Sequence, residues 1–316
     1  MDIRGHWYRM DANLRGSFLV LASALLWSLS GLVYINLNTA IAWIVFIRSG
    51  IGGLVLVPFL IRSVSFKPVS WLIGACLSCA LFIGSFVIGT KYSSSALTVA
   101  MQYSATLYVF IFQIIFIKHR KPWHRMGPMI FVALGIGLMI YDTRASGSRF
   151  GLFFAIICGL SFAIYTTCLR HLKTGSPLGI ASATNLTTAA IFGLMILFTR
   201  PTAPRTSKEW FLLIIAGLFL TAIGYSLYST AMKDIPPDRA LVLALFEPVL
   251  NPFWIFLVTG DHPSTLTILG LGILLGGILL DTLIANIFRK RKEQKIKWVV
   301  RDSKKKTWLP FQQTRS

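Results

Sequence analysis

Long apolar stretches alternate with short polar gaps along this chain. Ten apolar runs lie near residues 16–36, 40–61, 70–90, 95–117, 126–141, 150–170, 178–199, 210–230, 237–259 and 264–287. All but the short fifth come close to the roughly 20 helical residues that a hydrocarbon core about 30 Å thick requires. A membrane β-barrel would show segments of about ten residues with alternating polarity instead. Backbone groups in lipid must be paired internally, and continuous apolar runs achieve that as helices. The pattern therefore predicts an all-α integral membrane protein with ten transmembrane helices. Residues 1–15 are polar and the first run outlasts a signal-peptide core, so that run is expected to stay as an anchor.

Composition agrees. Hydrophobic residues make up 55% of the 316 and charged residues 13%, with a mean hydropathy of +0.68. A soluble domain carries about 25% charged residues. The net charge of +20 invites a nucleic-acid reading, but 11 of the 31 Lys and Arg fall from Arg289 onward and most others sit in the gaps between runs. That is how a membrane protein marks its cytoplasmic side, and no nucleic-acid partner is expected. With both termini inside, 24 basic residues face the cytoplasm and six the other side, with Arg48 inside a run. Without the termini the count is ten against six, so the tail does much of the orienting. Short loops and the retained first run point to a bacterial inner membrane.

The halves of the chain echo each other. Trp71 matches Trp210, Gly84 matches Gly224, Lys91 matches Lys233, Ala96 matches Ala240, Gly137 matches Gly276 and Asp142 matches Asp281, at offsets of 139 to 144. Each match is weak alone; their common order carries the signal. Five spans per copy is an odd number, so the second copy enters the membrane from the opposite side. Two inverted five-helix repeats, 16–142 and 148–287, follow, flanked by a cytoplasmic segment 1–15 and a basic cytoplasmic tail 288–316. Transporters that alternate their access are often built so, although inverted repeats occur in channels too.

The stretch from Ala240 to Gly277, with Glu247-Pro248-Val249, then Asp261, then Gly270, Gly272, Gly276 and Gly277, resembles the ninth and tenth spans of the EamA-type members of the drug/metabolite transporter superfamily. Leu25-Leu26-Trp27 and Arg48 fit as well, and the resemblance covers residues 16 to about 287. It implies two EamA-like repeats and a transporter of small organic metabolites, with the cargo left open. The first half departs from the pattern: where the family often places proline and then an acid, it has Ser104 or Ala105, then Lys118-His119-Arg120.

Ionisable groups inside spans are costly and tend to face protein or a water-filled cavity. Glu247 is such a group. Pro248 beside it has no N–H and frees the Ala244 carbonyl. Glu247, Asn251 and Trp254 share one helix face. Two roles stand side by side for Glu247: binding a cation, amine or proton, since burial opposes its ionisation, or bonding a neighbouring helix and shaping the kink. Arg48 suits a substrate carboxylate, but equally a pairing with Glu247, a bond to helix carbonyls, or snorkelling. Uncharged candidates are Trp27 with Ser28, Gln102 and Tyr103, Tyr165, Asn185, and Tyr225 with Tyr228; such a lining suits an amphipathic or aromatic solute, and for each the alternative is ordinary interhelical bonding. Tyr103 falls opposite Glu247 in the repeat alignment. Ser49 and Gly53 are read as helix-packing positions.

Cys76 and Cys79 spell C-x-x-C inside an apolar run, where small buried residues are the simpler reading. No zinc-protease or P-loop motif occurs, so no enzyme activity, cofactor or metal is expected. The function expected is a secondary transporter, an exporter or exchanger, that alternates access through a midplane cavity between the repeats. Coupling to protons is an option. The rivals are a lipid or lipid-linked solute translocator and a non-transporting membrane protein. The tail either fixes topology in solvent or lies along anionic lipid.

Overall fold

The computed structural model describes residues 12–63, 66–116, 123–146, 148–235, 237–260 and 262–306. Lys118-His119-Arg120, Asp261, the first eleven residues and residues 307–316 lie outside the described residues. Among the described residues every regular element is helical. Eight helices are long and apolar enough to cross a membrane: Ala12–Ile35, Val69–Tyr92, Ser95–Phe112, Arg149–His171, Pro177–Thr199, Ser207–Ala231, Val242–Thr259 and Thr265–Ala285. Two apolar helices, Ile41–Val55 and Met126–Asp142, are shorter.

Several of these are interrupted. The first consists of α1 (Ala12–Ser28) and α2 (Ser30–Ile35), parted at Leu29; α3 (Ile41–Val55) and α4 (Val57–Ile61) part at Leu56. After α5 (Val69–Tyr92), α6 (Ser95–Tyr103) and α7 (Ala105–Phe116) part at Ser104. Each break has a local cause. Ser28 Oγ donates to Leu25 O at 2.7 Å and Ser104 Oγ to Met101 O at 2.6 Å, competing with the backbone ladder. Pro58, at the start of α4, has no N–H for the Leu54 carbonyl.

The later elements are α8 (Met126–Ser146), α9 (Arg149–His171), α10 (Pro177–Thr199), α11 (Ser207–Ile215), a π-helical segment (Ala216–Ile223), α12 (Gly224–Ala231), α13 (Pro237–Ala244), α14 (Phe246–Thr259) and α15 (Thr265–Lys306). The π segment forms where the Trp27 indole N–H, from α1, captures Leu220 O at 2.9 Å. Gly224 leaves room for that ring, since a Cβ there would meet Trp27 Nε1. An outside donor that takes a helical carbonyl loosens the turn around it, and such π insertions cluster at functional sites. α15 is 42 residues long and continues past the apolar span into the basic tail.

The helices pack as antiparallel pairs. On α5 and α9, Trp71 stacks on His171 with centroids 4.4 Å apart, Phe82 meets Phe162 at 4.7 Å and Tyr92 meets Phe150 at 5.5 Å. α3–α4 runs against α10: the Ser63 and Ser176 hydroxyls are 3.0 Å apart, Ser182 Oγ donates to Gly53 O at 2.8 Å, and Gly193 faces the Phe46 ring. α8 runs against α15 through Gly135, Gly270 and Gly277, whose missing side chains let backbones touch. α1–α2 runs against α11, the π segment and α12, from Arg15–Asp234 at one end to the Thr39 hydroxyl donating to Glu209 at 2.9 Å at the other.

The Arg15–Asp234 pair is a two-pronged fork, Nε and Nη2 each 2.8 Å from a carboxylate oxygen. Asp234 lies between two spans, and the guanidinium holds its carboxyl below the ordinary value of 3.8. A carboxyl depressed on folding adds stability that is complete above the unfolded value and is lost as pH falls through the folded one. Asp234→Asn is therefore expected to melt below the wild type at neutral pH, with the gap closing as pH falls below 3.8. Melting curves of both proteins in detergent against pH check this; a gap that persists in acid removes the pair as its cause.

Candidate functional site

Glu247 is the second residue of α14, just past the Leu245 break, and is buried with 4% of its surface exposed. The proline that follows leaves the Ala244 carbonyl without its helical donor. Tyr103, at the end of α6, fills that place from across the molecule: its hydroxyl lies 2.9 Å from Ala244 O and 2.8 Å from Glu247 Oε2. A phenol has one proton for those two acceptors. A proton on Glu247 resolves the conflict: the carboxyl donates to the phenol oxygen and the phenol to Ala244. Glu247 Oε1 takes no hydrogen bond among the described residues.

One turn on, Asn251 is fully buried and both ends of its amide are used. Oδ1 accepts from Ser95 Oγ at 2.5 Å, and Nδ2 donates to Ser28 O at 3.0 Å, beside the Leu29 break. The Trp254 indole donates to Ser28 Oγ at 2.8 Å. Gly31 makes the crossing possible, because a Cβ there would overlap Ser95 Oγ and the Asn251 amide. Asn251 and Trp254 thus lock α14 onto the break in the first span, while Glu247 turns to α6.

Trp27, held on Leu220 O, packs against Tyr225 at 5.5 Å and Tyr228 at 5.4 Å. Tyr225 lies within electrostatic range of both Glu247 and Arg48, and Tyr228 within range of Tyr103. Buried Tyr165 lies near Tyr225, Cys79 and Thr184. Arg48 is half-buried against Tyr34, and its Nε is buried with no hydrogen-bond partner. No carboxylate among the described residues comes within 4.0 Å of it, so the Arg48–Glu247 pair is not formed. Gln102 is half-buried and makes no side-chain hydrogen bond among the described residues; it stands apart from this network. The four cysteines are free and buried, and the described residues contain no metal-holding cluster.

Two participants escape a reading of the sequence. Ser95 opens a helix and gives no signal there. Tyr34 does: it lies seven residues after Trp27, on the same helix face. A cavity of about 250 Å³ is lined by Leu19, Leu56, Phe59, Ala222 and Leu227 among others, and none of the candidate residues lines it. The polar convergence, not this apolar hollow, marks the candidate site.

The sequence profile of the EamA-like transporter family matches residues 14–141 and again 149–283. A protein from Archaeoglobus fulgidus named as an uncharacterized transporter is 25% identical over 277 residues, 87% of this chain and 98% of its own length. A biotin transporter of Escherichia coli K12 is 24% identical over 68% of this chain and 78% of its own length; a biotin transporter of Salmonella typhimurium is 23% identical over 77% and 88%. A solved crystal structure shares the fold with a TM-score of 0.58 at 17% identity, over 88% of this chain and 98% of that one.

Proposed function

This chain belongs to the EamA-like transporter family, a multi-pass membrane transporter, and on that premise we propose that it moves a small organic metabolite as a secondary exporter or exchanger. Access alternates through a midplane cavity between two inverted five-helix repeats, residues 16–142 and 148–287. The two shorter apolar helices complete ten spans: Ile41–Val55 gains α4 beyond the Leu56 break, and α8 reaches 21 residues. Both termini, including the segment 1–15 and the tail 288–316, lie in the cytoplasm of a bacterial inner membrane.

The antiparallel pairs support the inverted repeat. A two-fold axis in the membrane plane that exchanges the repeats turns α5·α9 into the pairing of α11–α12 with α1–α2, and maps α3·α10 and α8·α15 each onto itself. The repeat-equivalent acids follow suit: Asp142, in the last turns of α8, accepts from Ser264 and from Thr267 at 2.6 Å where α15 begins, and Asp281, further along α15, grips Arg125 just before α8. Tyr103 and Glu247 are repeat mates that touch each other, which supports a position for both beside that axis. Broken helices in corresponding places of two halves are how secondary transporters build a central site.

The observation that carries the reading is the buried Tyr103–Glu247 contact, set at the break of a helix in each half. A carboxylate there, with a hydrogen-bond conflict that a proton resolves, suits coupling to protons. The biotin transporters among its relatives make biotin the first solute to assay. Purified protein in proteoliposomes is expected to exchange labelled biotin or another solute of a broad metabolite panel across the membrane, faster than protein-free vesicles. Folded protein that moves nothing across the whole panel would overturn the proposal.

A further inference from the structure

Buried polar atoms without partners are rare, and each calls for a ligand, a water or a strain to explain it. Two of them here carry complementary chemistry. The first is Arg48 Nε, buried and unbonded, on a guanidinium with no carboxylate in reach among the described residues. The second is Oδ1 of Asn185, a residue with 1% of its surface exposed. The Asn185 amide is oriented by its other end: Nδ2 donates to Ala181 O at 2.9 Å, which turns Oδ1 away from its own helix.

The two groups stand on helices that pack together, α3 and α10, which meet where Ser182 bonds Gly53 O and Ala189 faces Gly50, and we infer that both turn towards one ring. Tyr225 lies within electrostatic range of Arg48. Ala181, one turn before Asn185 on the same face of α10, packs with Tyr225, Leu56 and Ala222. The adjoining face of α10 is occupied otherwise, since Ser182 bonds Gly53 O and Leu186 fills the space beside Gly53. The Asn185 face is therefore the one turned towards Tyr225. A planar guanidinium presents a donor fork that matches a carboxylate. An amide oxygen accepts and cannot donate, so it selects a donor, of which an N–H is one, and opposes a second anion.

We propose that Arg48 and Asn185 form a clamp for a solute carrying a carboxylate and a separate N–H donor, with the Tyr225 ring beside both. The class includes acylated amino acids and ureido acids. This rests on the transport reading above and narrows it: cations and uncharged solutes without a carboxylate are excluded as cargo.

The test is thermal stabilisation of the purified full-length protein, because a ligand bound to the folded state raises its melting temperature. The probes are biotin, hippurate and N-acetyl-leucine, each beside its carboxamide, with octanoate as a carboxylate lacking N–H and with thymidine and tetraethylammonium as neutral and cationic solutes. At least one N–H-bearing acid is expected to stabilise the wild type, and its carboxamide to bind about tenfold or more weakly. Arg48→Gln should abolish the stabilisation, and Arg48→Lys, which keeps the charge and loses the fork, should weaken it. Asn185→Ala should weaken the N–H-bearing acid and leave octanoate unchanged. The melting temperature without ligand reports folding; if Arg48→Gln does not fold, the acid-against-amide comparison on the wild type still decides. Stabilisation by thymidine or tetraethylammonium alone, or equal binding of acid and amide, would overturn the clamp and leave transport standing. Silence from every probe overturns the clamp, and only an accompanying absence of flux in proteoliposomes removes the transport reading as well.

Discussion

Glu247→Gln is expected to lower transport by about a hundredfold while the protein still folds and inserts. Glutamine has the same length, and its amide N–H can donate to the Tyr103 phenol oxygen, now 2.8 Å from Glu247 Oε2, as the protonated carboxyl does, so the contact between α6 and α14 survives. What disappears is the ability to gain and lose a proton at the point where two broken helices meet. Tyr103→Phe acts in the opposite way. It keeps the proton-carrying group but removes the hydroxyl that lies between Glu247 and the Ala244 carbonyl, leaving that carbonyl without a donor, which should cost about 1–3 kcal/mol of stability with a smaller loss of flux. Flux in proteoliposomes, divided by the amount of folded protein, separates the two. Wild-type flux through Glu247→Gln would reduce the residue to a structural pin.

The chemistry of that contact is largely legible in the sequence. Pro248 has no N–H, which exposes the Ala244 carbonyl by elementary stereochemistry, and the repeat alignment set Tyr103 opposite Glu247. The alignment could not say that the two touch, because that depends on how the two halves pack against each other. The break at Ser104 was less legible. With no proline there, the sequence offered no obvious interruption, yet the serine hydroxyl turned back on Met101 O opens the helix in the corresponding place. The π segment was beyond reach altogether. Its cause is a tryptophan 193 residues away, and nothing within Ala216–Ile223 announces it. Apolar runs were simple to find for the opposite reason: lipid imposes one rule on every residue of a span, whereas a site is defined by long-range company. Gln102 illustrates the gap, being polar, within a span, and outside the network.

Asp281→Ala is expected to cost about 3–5 kcal/mol of stability, the usual penalty for stripping one partner from a buried ion pair. Asp281 is 4% exposed and receives both prongs of Arg125, Nε at 2.6 Å and Nη2 at 2.5 Å, with Phe110 stacked 6.0 Å from the guanidinium. Desolvating these charges is already costly, so losing the carboxylate leaves a guanidinium deprived of its fork between α8 and α15. That pair of helices is held elsewhere by close glycine contacts at Gly135 and Gly270 and by an apolar cluster of Met129, Val132, Met139, Leu271, Leu274 and Ile278, none of which can pair a stranded guanidinium. The repeat-equivalent change, Asp142→Ala, should cost less, about 1–3 kcal/mol, because Asp142 accepts from the neutral hydroxyls of Ser264 and Thr267. Replacing both charges together, Arg125→Met with Asp281→Leu, should recover part of the loss, since an apolar pair avoids the desolvation cost. Unfolding in mixed micelles of the three variants gives the order directly. If Asp281→Ala unfolds with the wild type, the α8–α15 pair is held by its other contacts and the ion pair is incidental.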